Sequence, residues 1–107
     1  MAAKPDRTCD GIVFASKKEM QHYQGLKIWE SARPDQRKFL RQVSFPLPGH
    51  ISYRCDFLTF EYKPEWNTDE GPLLKMSVID VKGMKTDVYR IKKRLFEATY
   101  PWKIREV

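Results

Sequence analysis

Val78-Ile79-Asp80-Val81-Lys82-Gly83 reads as a β-strand that ends on a glycine. Side chains of a strand alternate between its two faces, so Asp80 and Lys82 project side by side. Val78, Ile79 and Val81 surround them with apolar bulk. An acid and a lysine are therefore expected at the end of a water-excluding strand, and Gly83 supplies the backbone freedom that ends it.

Working upstream, residues 73–82 form the whole of this predicted strand. Residues 63–72 (Lys-Pro-Glu-Trp-Asn-Thr-Asp-Glu-Gly-Pro) are turn-forming and acidic, which predicts a hairpin loop. Residues 51–62 are rich in aromatic side chains and read as a long strand. Strict alternation puts Asp56 on one face with Arg54, Leu58 and Phe60, and puts Cys55, Phe57 and Thr59 on the other. Residues 42–47 read as a shorter strand, cut off by Pro46 and Pro48. A basic connector over 35–41 precedes it.

The first helix is predicted over 16–32. Ser16-Lys17-Lys18-Glu19 fits a capping box, and Pro34 makes Arg33 a poor helical residue. At about 100° per residue, Met20, Tyr23, Leu26 and Trp29 share a face. Glu19 falls near the middle of that apolar stripe, an unusual place for an acid. Residues 1–10 read as a polar lead-in and residues 11–14 as a short extended segment.

Downstream, Thr86 caps a second helix that runs to about Tyr100, with Asp87 favourably placed in its first turn. Its inner stripe is read as Val88, Ile91, Leu95 and Thr99, with Arg90, Lys93 and Arg94 outward and Lys92 at the edge. Residues 103–107 form a last strand. The expected fold is a single α/β (α+β) domain over 11–107, a mixed sheet of about four strands flanked by two helices in the order α–β–β–β–α–β.

Glu19, Asp56, Asp80 and Lys82 are the charged residues that lie where apolar neighbours make charge costly. A buried carboxylate without a partner costs several kcal/mol. A divalent cation compensates several at once, and hard cations such as Mg²⁺ take carboxylate and water oxygens. Asp56 and Asp80 on adjacent strands supply such a pair, with Glu19 reaching in from the helix. The chemistry this suits is phosphodiester hydrolysis, with Lys82 orienting the nucleophile and the scissile phosphate or serving as base.

Glu19 on a first helix, Asp56 in mid-strand, Asp80-Val81-Lys82 on the next strand and a basic helix after it resemble the PD-(D/E)XK nuclease superfamily. Gly-Ile-x-Phe-x-Ser-Lys-Lys-Glu, then Arg-x-Asp-Phe, then Asp-Val-Lys-Gly-x-Lys-Thr resemble a family of small phage and prophage proteins related to Holliday-junction resolvases. The resemblance runs from about Gly11 to Val107. It implies a restriction-endonuclease-like fold and Mg²⁺, with Mn²⁺ able to substitute. The metal ligands would be Asp56, Asp80, the Val81 carbonyl and Glu19, and Lys82 would be the catalytic lysine. It departs from the pattern at Cys55, which stands where the superfamily name puts proline, and at Asp80, where glutamate is more frequent.

Charge agrees with a polyanionic partner. The chain of 107 residues carries a formal charge of +6. Six basic residues between Lys82 and Arg94 face one acid, Asp87, and four between Arg33 and Arg41 face Asp35. Lys85, Arg90, Lys92, Lys93 and Arg41 are the candidate DNA contacts. The expected substrate is branched DNA, held mainly through phosphates and selected by shape. A homodimer is the economical arrangement for cutting two strands.

No apolar run approaches a membrane span and no apolar signal core follows the N-terminus, so a cytoplasmic protein is expected. Cys9 and Cys55 lie far apart and show no zinc spacing, and two histidines leave no room for a histidine-rich metal site. Plainer readings stay open. Glu19 serves its capping box, Asp56 pairs with Arg54, and Asp80 pairs with Lys82 on the surface. A non-catalytic nucleic-acid-binding module and a protein-interaction domain built around Trp66 are the alternatives to a nuclease.

Overall fold

The longest strand, β4 (Ile51–Tyr62), lies between two others in the sheet and carries the core on both its faces. The structure is a computed structural model and describes residues 2–81 and 85–107. Strands β3 (Arg37–Leu47), β4, β5 (Leu74–Asp80) and β6 (Ile104–Glu106) form one sheet in the order β3-β4-β5-β6. The first three are antiparallel neighbours, and β6 runs parallel to β5. A parallel pair needs a crossover, and helix α2 (Asp87–Thr99) provides it. Helix α1 (Lys17–Ala32) precedes the sheet. The fold is the mixed α+β domain that the sequence predicts, in the predicted order.

Two apolar clusters hold it together. One joins α1 to the sheet through Phe14, Met20, Tyr23, Leu26, Phe57 and Ile79. The other joins α2 to the opposite face, with Tyr53, Cys55, Leu58, Val78, Phe96 and Ile104 among its buried members.

Several local expectations need correction. The lead-in over 1–10 carries structure, a 3-10 turn at Lys4–Arg7 and strand β1 (Thr8–Cys9), which pairs with β2 (Ile12–Val13). Asp10 (φ 52°) and Gly11 (φ 76°) make the two-residue turn, as Asp-Gly does in type I′ hairpins. Asp10 then accepts hydrogen bonds from the Tyr23 hydroxyl at 2.8 Å and the Lys27 ammonium at 3.0 Å, fastening the hairpin to α1. The basic connector over 35–41 belongs largely to β3, which starts at Arg37. Strand β5 spans Leu74–Asp80, so Val81 lies beyond it, and Lys82 and Gly83 lie outside the described residues.

Helix α2 is rotated from its expected setting. Val88 and Ile91 are 63% and 55% exposed, Thr99 is exposed, and Tyr89 and Phe96 are buried instead. The two stripes are about one residue apart around the helix, and the aromatic one removes more apolar area from water. Phe96 packs against the rings of Phe45, Tyr53 and Tyr100 at 5.0–5.3 Å. The same rotation brings Lys93, expected outward, in toward β6.

There Glu106 accepts from the Tyr89 hydroxyl at 2.9 Å and from Lys93 at 3.0 Å, with Lys85 at 3.4 Å. The bond from Lys93 and then that from Tyr89 hold its carboxyl down at about 2. A carboxyl depressed on folding stabilises the fold above its unfolded pKa near 4.5 and loses that contribution as pH falls toward 2. Thermal melts from pH 7 to pH 2 should show Glu106→Gln less stable than wild type at neutral pH and converging with it in acid. Parallel melting curves for the two proteins would contradict this.

The alternation of faces also slips along the sheet. On β3, Phe39 packs toward α1, whereas Val43 and Phe45 pack toward α2. On β4, Tyr53 and Cys55 face α2, whereas Phe57 faces α1. All six are odd-numbered, so strict alternation fails between them. Gln42 lies at the slip, with φ 54° in the middle of a strand. Left-handed backbone at a residue other than glycine costs of order 1–3 kcal/mol and persists only where the surroundings impose it. Cys55 and Phe57 therefore do not share a face.

Candidate metal and nucleic-acid site

The slip positions the predicted site. Pairing of Arg41 with Phe57 and of Val43 with Cys55 leaves Gln42 opposite Asp56. Pairing of Phe57 with Ile79 makes Asp80 the next residue across from Asp56 on the other side. Gln42, Asp56 and Asp80 thus lie in one row across three strands.

Glu19 joins that row from α1. It is 4% exposed. The Ser16 hydroxyl accepts its N–H at 3.1 Å, which is the first half of the predicted capping box. The reciprocal bond is made one residue earlier, from the Ala15 N–H to Glu19 Oε2 at 3.3 Å. The Gln42 side-chain amide donates to Glu19 Oε1 at 3.2 Å. Gln42 leads into a strand beside Arg41, which puts it within reach of a site, but glutamine alone announces neither a left-handed backbone nor a role there.

Asp56 is half-buried and accepts the Val81 N–H at 2.7 Å. This bond extends the β4–β5 ladder by one rung after its last backbone pair. The plain reading that Asp56 pairs with Arg54 gives way to it. One carboxylate oxygen serves Val81, and a carboxylate has acceptor capacity beyond one bond.

Asp80 is 1% exposed and accepts from the Tyr53 hydroxyl at 2.5 Å. Burial, and then the bond to Asp80, push the Tyr53 phenol far up, so it remains a donor. Asp80 thereby turns toward the α2 face, whereas Glu19 approaches from α1. Burial likewise raises the Cys55 thiol to about 11, which leaves it no thiolate role. Lys82, the expected catalytic lysine, is outside the described residues.

The basic residues divide into two groups. Beside Tyr53 and Tyr89 a cavity of about 430 Å³ is lined by Arg54, Lys92, Ser44, Ser52 and Thr86 and, among the described residues, by no acid. Thr86 accepts the Tyr89 N–H at 3.1 Å as the predicted cap of α2. Cations, hydroxyls and the start of a helix are the groups that hold phosphate. By contrast Lys85 and Lys93 attend Glu106, and Arg90 lies 3.7 Å from Asp87 on the surface. Arg41 lies over the Phe14 ring at 4.7 Å, and its buried Nε has no hydrogen-bond partner among the described residues.

A family model matches residues 3–106. The chain belongs to the DUF1064 family. The family is described as a protein of unknown function, and the match spans the β1–β2 hairpin, both helices and the whole sheet. No curated protein and no solved structure matches the chain significantly.

The donors of this DUF1064 chain suit a hard cation in kind, being oxygens of Glu19, Asp56 and Asp80. Among the described residues, however, no three His, Cys, Asp or Glu side chains lie together as a ready-made metal cage. Asp80 Oδ2 accepts from Tyr53, on the α2 side of the row. No helix among the described residues is long and apolar enough to cross a membrane.

Proposed function

We propose that this DUF1064 protein is a divalent-metal-dependent DNA endonuclease acting on branched DNA. The observation that carries the reading is the single row of Gln42, Asp56 and Asp80 across three strands, which Glu19 enters through its bond to Gln42. Asp56 and Asp80 stand next to each other in register on adjacent strands, Glu19 reaches their row through Gln42, and a basic cavity opens beside Tyr53.

In this reading Asp56, Asp80, the Val81 carbonyl and Glu19 hold Mg²⁺, or Mn²⁺ in its place. The ion supplies an acidified water and charge compensation at the attacked phosphate. The Asp56–Val81 bond fixes the strand end that carries the ligands. Gln42 holds the Glu19 carboxylate toward Asp56. Arg54 and Lys92 bind backbone phosphates, and Lys82 orients the scissile one. Binding through phosphates selects DNA by shape, which suits junctions more than a base sequence. A homodimer would present two such sites to the two strands.

One observation favours a second reading, a non-catalytic nucleic-acid-binding module. Asp80 is engaged by Tyr53 in a buried setting, as a structural acid would be. Incubation with four-way junction, flap, duplex and single-stranded DNA in Mg²⁺, Mn²⁺ or EDTA separates the two. The endonuclease reading expects metal-dependent cutting, greatest on branched DNA and lost in Lys82→Ala. Binding to all four DNAs with no cutting in either metal establishes the second reading.

A further inference from the structure

We propose that the opposite, α1-side face of the sheet carries a separate binding pocket for a nucleoside monophosphate. The cavity, about 310 Å³, lies between α1 and strands β4 to β6. It is distinct from the basic cavity beside Tyr53, with which it shares no residue.

Its roof is His22, Leu26 and Trp29, spaced by four and three residues and so on one helical face. Its floor includes Ser77 and Ile79 of β5, whose side chains fall on one side of that strand by alternation. Arg105 pairs with Ile79 from β6, and Lys75 stands at the far end of β5.

Three features point to an anion with an aromatic part. First, His22 is held against the Phe57 ring at 5.3 Å, and its buried Nε2 has no hydrogen-bond partner among the described residues. A buried polar nitrogen left this way is costly, and a ligand that bonds it recovers that cost. Second, neither Lys75 nor Arg105 forms an ion pair among the described residues. The one acid of the lining, Glu61, faces Lys75 in register, but its carboxylate is taken by Arg37 at 3.0 Å. The rim is therefore left cationic. Third, the roof offers the indole of Trp29 beside Leu26, an apolar surface for a ring.

The volume is at the lower end of the range for small-molecule sites, about 300–1,000 Å³, which suits one nucleotide and not an oligonucleotide. Arg37, stacked over Trp29 at 5.2 Å while it holds Glu61, keeps both walls in place without a ligand. The buried Thr59 hydroxyl adds a hydrogen-bonding group on β4.

Calorimetric titration with deoxyadenosine 5′-monophosphate at low salt, in EDTA, tests this apart from any metal or cleavage. Saturable binding is expected. It should weaken about tenfold or more in Arg105→Ala and in His22→Phe, each losing a charged or polar partner of the anion. His22→Phe keeps a ring against Phe57, and Arg105 is exposed, so both variants should match wild type in melting temperature. Deoxyadenosine and inorganic phosphate should each bind at least about tenfold more weakly than the nucleotide. Four results overturn the proposal: no binding at millimolar nucleotide, inorganic phosphate or deoxyadenosine binding as tightly as the nucleotide, an undiminished affinity in both variants, or an equal loss in Arg90→Ala, which lies outside the cavity.

Discussion

Asp56→Asn should lose cleavage on the order of 10²-fold or more while the protein melts close to the wild-type temperature. The asparagine carbonyl can still accept the Val81 N–H, so the extra rung between β4 and β5 survives. The negative charge offered to a cation does not. Changes to outer-shell partners of a bound metal already cost about 10–100-fold, and a ligand should cost no less. Asp56→Ala removes both roles and should lose stability as well, because the Val81 N–H is left without its acceptor at a cost of about 1–3 kcal/mol. Cleavage assays and urea denaturation on the pair separate the two. If Asp56→Asn cleaves normally, the residue only completes a ladder.

Phe96→Ala should cost about 3–5 kcal/mol, as expected for a large aromatic residue cut out of a packed core. Phe96 is fully buried among Phe45, Tyr53 and Tyr100, so its removal leaves a cavity walled by three rings. Against a total stability of about 5–15 kcal/mol, that loss brings the domain close to unfolding. Val88→Ala should stay within about 0.5 kcal/mol, as surface substitutions do. Urea unfolding of the two variants tests the rotation of α2. A larger loss from Val88→Ala would restore the stripe of Val88, Ile91, Leu95 and Thr99.

These results bear on what the sequence can reveal. β4 was legible to its end residues because Pro48 and Gly49 before it and Pro64 after it leave one long aromatic run. Both helix starts were legible because Ser16 and Thr86 are capping residues followed by helical patterns. The rotation of α2 was not, since Val88, Ile91 and Leu95 make as regular a stripe as Tyr89 and Phe96. Only packing against Phe45 and Tyr53 decides between them. The β1–β2 hairpin carried its Asp-Gly signal, but strands of two residues are too short to show alternation.

Within the candidate site, Glu19 was legible as an acid on an apolar stripe, and its burial agrees. The face slip was not, because it depends on one left-handed glutamine that period-two reading passes over. That slip brings Glu19, Gln42 and Asp56 together and also undoes the expected partition of β4. The bond between Asp80 and Tyr53 was hidden for the same reason. Tyr53 and Asp80 are 27 residues apart in the chain, and only the strand register brings them together.

The most direct measurement is single-turnover cleavage of a labelled four-way junction in Mn²⁺, wild type beside Asp80→Asn. The endonuclease account predicts that wild type yields discrete products that EDTA abolishes, and that Asp80→Asn binds the junction but yields none. Equal cleavage by the two proteins, or none by wild type in either Mn²⁺ or Mg²⁺, would contradict it.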